Sequence, residues 1–244
     1  MSYRLHIPQT LEQALEIKRK TDGTYLAAGT DILVSHRHKE DLIALENIPG
    51  LCSIEEDKEY FRIGALVTFD SLEKSVAVKG NLPALWQAAC SVAGPQIRNR
   101  ATIGGNIGCF SPASDAVTAL VALDAEVELF NGRVYREKLE NLQSIDNGAI
   151  ICAVLVPKRF DFSAFEKVGK RNAMSVSVIN MALARSGSEV RIATGCVGPH
   201  VILCKDPSEV AGSIRPINDR WGTVEYKQIV AGNLLEKLSK EAGL

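Results

Sequence analysis

The stretch Thr102-Ile103-Gly104-Gly105-Asn106 places two adjacent glycines between a helix-like segment and a proline-containing turn. Glycine lets backbone N–H groups approach a ligand closely, and it adopts conformations that other residues avoid. Consecutive N–H groups can form a concave site for an anion such as pyrophosphate, with the Thr102 hydroxyl and the Asn106 amide as further donors. The alternative interpretation is a tight turn or bulge between packed elements.

A second glycine-containing loop lies far upstream and reads Ala27-Ala28-Gly29-Thr30-Asp31-Ile32. Residues 25–28 are apolar and few, which predicts a short buried strand that enters this loop. The Thr30 hydroxyl could bond a phosphate oxygen, and either Thr30 or Asp31 could cap a following helix. Two such loops predict one dinucleotide cofactor that is held from two sides by neutral donors.

Apolar periodicity and turn residues predict an α+β chain. Helices are predicted at 11–22, 32–36, 69–75, 83–93, 116–123 and 224–238, and strands at 25–28, 41–45, 61–65, 125–129, 149–156, 162–168 and 190–197. Residues 172–184 are small and apolar, so they fit a helix or a strand. The last helix is predicted to present one broad apolar face, formed by Tyr226, Ile229, Val230, Leu234 and Leu238.

Both loops resemble the FAD-binding subunits of the molybdenum hydroxylases, a family that includes the medium subunits of bacterial xanthine, carbon monoxide and nicotinate dehydrogenases. Either loop alone would be weak evidence, but both occur in order and further motifs accompany them. These are Ser111-Pro112-Ala113-Ser114-Asp115, Phe162-Ser163-Ala164-Phe165-Glu166-Lys167-Val168-Gly169, Pro216-Ile217-Asn218-Asp219-Arg220 and Tyr226-Lys227.

The resemblance implies an α+β fold with a two-part FAD-binding domain of the vanillyl-alcohol oxidase (PCMH) type and a smaller C-terminal α+β domain. The FAD-binding domain would cover residues 1–160, with subdomains of about 1–55 and 56–160, and the C-terminal domain would cover 161–244. FAD would lie non-covalently in the crevice between the two subdomains. A G-x-G-x-x-G fingerprint after a strand is absent, which agrees with a fold other than the Rossmann fold.

The resemblance also implies a set of FAD-binding residues. They are Ala27, Ala28, Gly29, Thr30, Asp31, Ile32, Val92, Thr102, Ile103, Gly104, Gly105, Asn106, Phe110, Asp115 and Lys167. The family usually has glycine at position 28, and the extra methyl group of Ala28 is harmless only if its φ is negative.

Several of these positions have a second interpretation. Asp115 would lie near the flavin, or it would cap the helix that begins at residue 116. In relatives a lysine near Lys167 approaches the cofactor, and either Glu166 or Lys167 could take that place or simply be a solvated strand charge. Phe110 would lie against the flavin ring. Arg98 and Arg100 could neutralise phosphate or make subunit contacts.

The implied function is electron transfer through FAD in a complex with a molybdopterin-binding large subunit and a 2Fe-2S small subunit. NAD⁺, a quinone, oxygen or another carrier would accept the electrons. We expect no catalytic acid or base in this chain and no metal site, since its six cysteines form no C-x-x-C pair.

The net charge and the distribution of apolar residues limit the other functional classes to which the chain could belong. The net charge of −1 and the lack of a basic stripe argue against nucleic-acid binding. No apolar run is long enough to span a bilayer, and no signal sequence is recognisable, which predicts a cytoplasmic protein. Three alternatives remain open: a stand-alone flavin oxidoreductase, a flavin-free paralogue with a structural role, and a nucleotide-binding protein without redox chemistry.

Overall fold

The computed structural model describes residues 3–36, 38–146, 148–172 and 174–244, which form three sheets with helices between them. The first sheet is parallel, in the order β1-β3-β2, and its strands alternate with two helices. Its elements are β1 (Arg4–His6), α1 (Leu11–Thr21), β2 (Thr24–Leu26), α2 (Ile32–Ser35) and β3 (Asp41–Ala44). Thr10 caps α1 by accepting a hydrogen bond from the Gln13 N–H at 3.2 Å, as its sequence predicts.

The second sheet is antiparallel, and a run of six helices interrupts it between its second and third strands. The sheet comprises β4 (Ile54–Glu56), β5 (Tyr60–Gly64), β6 (Glu126–Phe130), β7 (Val134–Lys138) and β8 (Ile150–Pro157), in the order β4-β5-β8-β6-β7. The helices are α3 (Phe69–Lys74), α4 (Val76–Asn81), α5 (Pro83–Ser91), α6 (Pro95–Arg98), α7 (Ile103–Gly108) and α8 (Asp115–Ala122).

The third sheet is antiparallel. Residues 172–184, which fit a helix or a strand by sequence, contribute one of its strands. Position 173 lies outside the described residues. The strands of this sheet are β9 (Phe162–Gly169), β10 (Ser177–Ser186), β11 (Glu189–Gly195) and β12 (Ile202–Cys204), followed by α9 (Val210–Ser213) and α10 (Val224–Ala242). One face of this sheet packs on α5 and α8, and the other face packs on α10. The architecture is therefore α+β, as predicted.

The apolar face predicted for α10 is partly wrong. Val230, Leu234 and Leu238 are buried, but Tyr226 is 45% exposed and Ile229 is 64% exposed. Instead, Lys227 lies on the buried face of α10 in its first turn, and only 2% of this residue is exposed. Its ammonium group can be buried there because it donates to Asp219 Oδ2 at 2.7 Å.

The first two sheets share a core, which fixes the crevice between them. Ala14 and Leu15 of α1 and Ile43 of β3 pack in one apolar cluster with Phe130 of β6 and Ile150 of β8. Because this contact occupies only one side of the first unit, its loop after β2 faces the helices of the second unit across an open space. None of the helices within the described ranges is long and apolar enough to cross a membrane.

Candidate functional site

A cavity of about 750 Å³ lies between the first and second units. Its size is within the range of protein sites for cofactors and other small molecules. The first unit contributes Tyr25 and the whole loop 27–32, and the second unit contributes residues of 65–69, 92–110 and 143–151. The two loops that the sequence singled out therefore face one another across this cavity.

The loop after β2 presents unpaired backbone donors to the cavity. Within the described part of the chain, the N–H groups of Ala28, Gly29 and Thr30 and the hydroxyl of Thr30 have no protein partner. Gly29 adopts a left-handed φ of +72°, and a Cβ atom there would lie 2.5 Å from Leu33 Cδ1. Glycine is favoured here because any side chain would be strained at this φ and would displace the side chain of Leu33, and such a turn can direct successive N–H groups into one space.

Ala28, where the family usually has glycine, has no strained backbone. It is absent from the residues with positive φ, so its methyl group carries no conformational penalty. Asp31 occupies the N-cap position of α2, but its side chain makes no capping hydrogen bond. Its Oδ2 atom accepts instead from the Cys109 thiol at 3.3 Å, which links the two walls of the cavity.

The N–H groups around Gly104 and Gly105, which the sequence predicts as an anion site, are bonded within the protein, although both glycines line the cavity. Each already has a protein acceptor: Ile103 N donates to Val67 O, Gly104 N to Ala65 O, Gly105 N to Thr102 Oγ1 and Asn106 N to Thr102 O. The segment is the first turn of α7, and Thr102 is its N-cap. The glycines have helical rather than left-handed φ angles, so they form no nest.

These glycines instead allow close packing. A Cβ atom on Gly104 would lie 2.6 Å from Ala65 Cβ and 2.8 Å from Ala65 O, so a side chain here would push α7 away from the end of β5. A Cβ atom on Gly105 would lie 3.7 Å from Ala27 Cβ on the opposite wall. The alternative interpretation, a turn between packed elements, therefore accounts for Gly104.

Neighbouring side chains divide between the cavity and the core. Thr102 and Asn106 line the cavity, whereas Ile103 is fully buried in the core of the second unit and does not. Asn106 accepts from the Ser114 hydroxyl through its amide oxygen. Its amide nitrogen has no partner among the described residues and is available to a ligand.

Much of the cavity lining beside the unpaired donors is apolar. It includes Val92, Ile97, Phe110, Tyr25, Ile145 and Ile150. Sequence reasoning missed the lining residues between 143 and 151, although the polar run that ends in Asn147-Gly148 before β8 is a turn signal. Apolar side chains suit the rings of a dinucleotide, and the unpaired N–H donors suit its pyrophosphate.

One lining residue and one neighbour of the lining have strained backbones. Phe110, which lines the cavity, has a φ of +48°, and Ala93, next to the lining residue Val92, has a φ of +41°. Non-glycine residues avoid this left-handed region, and such outliers cluster at functional sites. Five other described non-glycine residues share a positive φ, so the strain marks these two positions but is not confined to them.

Asp115 and Lys167, which the resemblance implies as FAD-binding residues, do not line the cavity. Lys167 Nζ donates to Asp115 Oδ2 at 2.6 Å, and Asp115 Oδ1 accepts from Ser177 Oγ at 2.5 Å and Asn180 Nδ2 at 2.7 Å. This buried network joins α8 to the third sheet. Asp115 is also not the cap of α8, since Ser114 accepts the hydrogen bond from the Val117 N–H at 3.2 Å.

Few cations are available to an anionic ligand in the cavity. Lys18 and Lys39 line it, but both contact Asp22 at 3.3 Å. Arg98 is paired with Glu73, and Arg100 is exposed and outside the lining. Burial raises the pKa of Tyr25, whose hydroxyl donates to Gly148 O at 2.8 Å as a neutral group. A bound pyrophosphate would therefore be held mainly by oriented neutral donors.

The residues present fit FAD on these observations. The loop with its left-handed turn at Gly29 carries unpaired N–H donors, and the volume and apolar lining of the cavity accommodate the rings. The described residues contain no group of three or more His, Cys, Asp or Glu side chains placed to hold a metal ion.

Comparison with known proteins supports this interpretation. Residues 1–159 match the family model described as "FAD binding domain in molybdopterin dehydrogenase". The nicotinate dehydrogenase FAD-subunit of Eubacterium barkeri is 29% identical over 233 residues, covering 85% of this chain and 79% of that protein. The xanthine dehydrogenase FAD-binding subunit of Escherichia coli O157:H7 is 32% identical over 236 residues, covering 87% and 80%.

A solved structure has the same fold over nearly the whole chain. The carbon monoxide dehydrogenase from Hydrogenophaga pseudoflava superposes with a TM-score of 0.90 at 23% identity, covering 98% of this chain and 96% of that one. All three sheets of the chain therefore belong to one known arrangement.

Proposed function

Because the chain belongs to the family of FAD-binding domains of molybdopterin dehydrogenases, we propose that it is the FAD-carrying electron-transfer subunit of a molybdenum-dependent hydroxylase. Electrons enter from iron–sulfur clusters on a small partner subunit and leave to NAD⁺ or another acceptor. Substrate is oxidised on a molybdopterin-binding large subunit. The complex is cytoplasmic, which agrees with the six free cysteines of this chain.

The observation that carries the proposal is the set of unpaired donors at Ala28, Gly29 and Thr30 in a cavity with a mainly apolar lining. When bound, FAD supplies a flavin that takes up and releases electrons singly or in pairs. The chain's own contribution is to hold and enclose this group. We propose that N–H groups of the loop 27–32, the Thr30 hydroxyl and the Asn106 amide bind the pyrophosphate.

The rings lie against the apolar lining. We place the flavin against Val92 and Phe110, two apolar lining residues at or next to the strained positions Ala93 and Phe110. Tyr25 and Ile150 then face the adenine. Asp115 and Lys167 act behind the wall rather than on the cofactor. An electron-transfer role requires no proton-transferring side chain in this chain.

The test is to purify the chain alone and together with its molybdopterin and iron–sulfur partners, and to quantify released flavin. We expect about one FAD per chain, and bleaching of the flavin absorption when the complex oxidises its substrate. A flavin-free complex that also fails to take up added FAD would support the structural paralogue instead. Turnover by the isolated chain would support the stand-alone oxidoreductase.

A further inference from the structure

Three successive carbonyl groups at the C-terminal end of α5 are each held by a buried cation. Lys167 Nζ donates to Ser91 O at 2.8 Å. Arg98 Nη1 donates to Val92 O and to Ala93 O, both at 3.2 Å. The last carbonyls of a helix lack intrahelical partners, so these cations complete the hydrogen bonding of the helix end.

Each cation is itself fixed by a carboxylate from another element. Arg98 Nε donates to Glu73 Oε2 at 2.7 Å, and Lys167 Nζ donates to Asp115 Oδ2 at 2.6 Å. The Arg98 side chain is 13% exposed and the Lys167 side chain is 16% exposed. Helices α3, α6 and α8 and strand β9 therefore all converge on a three-residue segment.

The segment 91–93 contains a strained backbone that these hydrogen bonds help to hold in place. Ala93 has a left-handed φ of +41°, a conformation that persists in a non-glycine residue only where its surroundings over-determine it. Val92 and, just beyond the turn, Ile97 line the cavity. The position of the cavity wall at this side therefore depends on how firmly the three carbonyls are held.

We propose that Arg98 and Lys167 are positioning residues that fix the segment 91–93 as a rigid wall against which the flavin ring packs. This inference rests on the proposed function, because it takes FAD to be the occupant of the cavity. Neither cation contacts the cofactor. Each acts through backbone carbonyls, and each is neutralised by its own carboxylate, so burial leaves no unpaired charge behind the wall.

The substitution Arg98→Lys tests the role of the guanidinium fork. Lysine keeps the charge beside Glu73, but it lacks the second nitrogen that reaches the carbonyls of Val92 and Ala93. We expect FAD to bind about tenfold more weakly, the effect of losing hydrogen bonds from a charged donor. The visible circular dichroism of bound FAD should change as well, because this signal depends on the surroundings of the flavin ring.

A matched control is Arg62→Lys. Arg62 also pairs with a glutamate, donating to Glu128 Oε1 at 2.8 Å, and it also reaches a carbonyl, Gly50 O, at 3.3 Å. None of these three residues lines the cavity. Arg62→Lys should lower the melting temperature of the apoprotein at least as much as Arg98→Lys does, while FAD affinity and the dichroism of bound FAD stay at the wild-type values.

Two further variants keep the test decisive if Arg98→Lys folds poorly. Glu73→Gln leaves Arg98 in place and should weaken FAD binding less than Arg98→Lys. The double substitution Lys167→Met with Asp115→Asn removes the cation without leaving an unpaired buried carboxylate, and it should also alter the dichroism of bound FAD.

Wild-type affinity and wild-type dichroism in Arg98→Lys and in the double variant would overturn the inference. If the wild-type chain takes up no FAD at all, the proposed function fails first, and the two failures are thereby distinguished.

Discussion

Gly29 is the residue on which the anion-binding loop depends. Its φ of +72° would strain any side chain, and a Cβ atom 2.5 Å from Leu33 Cδ1 would force that side chain to move. We expect Gly29→Ala to weaken FAD binding by about tenfold, because the loop would relax out of the left-handed turn and binding would have to restore it at a cost of about 1–2 kcal/mol. Fluorescence titration with FAD measures the effect.

Gly50 provides a matched control for this substitution. It has a similar φ of +80°, but a Cβ atom there would meet nothing within 4 Å, and it lies outside the cavity lining. Gly50→Ala carries the same backbone strain and should reduce stability without changing FAD affinity. Equal losses of FAD affinity in both variants would mean that general destabilisation, rather than the loop, is responsible.

Thr30 offers the hydroxyl that is free to bind a phosphate oxygen. We expect Thr30→Val to weaken FAD binding by about tenfold to a hundredfold, the range for a hydrogen bond to a charged group, with little change in melting temperature. Thr30→Ser keeps the hydroxyl and should bind nearly as well as the wild type. Wild-type affinity in the valine variant would remove Thr30 from the phosphate site.

At the scale of elements, the contact of α7 with the end of β5 requires Gly104. Gly104→Ala would place its Cβ atom 2.6 Å from Ala65 Cβ. Overpacking of this kind costs about 1–3 kcal/mol, so the melting temperature should fall by about 2–10 °C. Gly108→Ala on the same helix meets only Ile151 Cδ1 at 3.7 Å and should be neutral or stabilising. Thermal melts of both apoproteins compare them, and equal melting temperatures would contradict the packing role.

Strand β1 is attached to the first sheet by a charged cluster whose effect depends on pH. Hydrogen bonds from Arg4 and then His6 lower the pKa of Asp41 to about 2. Since this is below the value of about 3.9 for an unfolded chain, the cluster stabilises the fold above about pH 4, and the stabilisation is lost as the pH falls toward 2.

We therefore expect Asp41→Asn to destabilise the protein at pH 7 and to approach wild-type stability near pH 2.5. Urea unfolding at both pH values measures the difference. A difference that stays constant with pH would show that the charge of Asp41 contributes nothing.

The sequence could predict those elements whose causes are local. The Thr10 cap of α1, the β2–α2–β3 unit and the apolar strand β8 all follow from short-range patterns. The partners of the N–H groups at Gly104 and Gly105 could not be predicted, because Ala65 and Val67 reach them only after β5 and α7 have packed together.

The same limit applies to the buried ion pairs. The sequence shows Lys167 and Asp115 as charged residues in family motifs, which suggested contact with a cofactor. Their actual environment is set by Ser91, Ser177 and Asn180, which tertiary packing brings from other elements. The buried face of α10 differs from its predicted face for a related reason, since Asp219 makes burial of Lys227 possible.

At the scale of the whole molecule, each of the three sheets contributes a different part of the candidate site. The first carries the anion-binding loop, the second and its helices form the opposite wall, and the third supports that wall from behind through Lys167. The division into domains at residue 160 stays a prediction, and strand β4 (Ile54–Glu56) of the second sheet spans the subdomain boundary predicted near residue 55. The support from β9 implies that a chain shortened after residue 160 would lose FAD affinity, which titration of that fragment would measure.

The most direct test of the central claim is a crystal structure of the chain with FAD. We predict that the pyrophosphate lies within hydrogen-bonding distance of the N–H groups of Ala28, Gly29 and Thr30, with the flavin against Val92 and Phe110. A pyrophosphate bound elsewhere, or FAD outside the crevice between the first two units, would contradict the account.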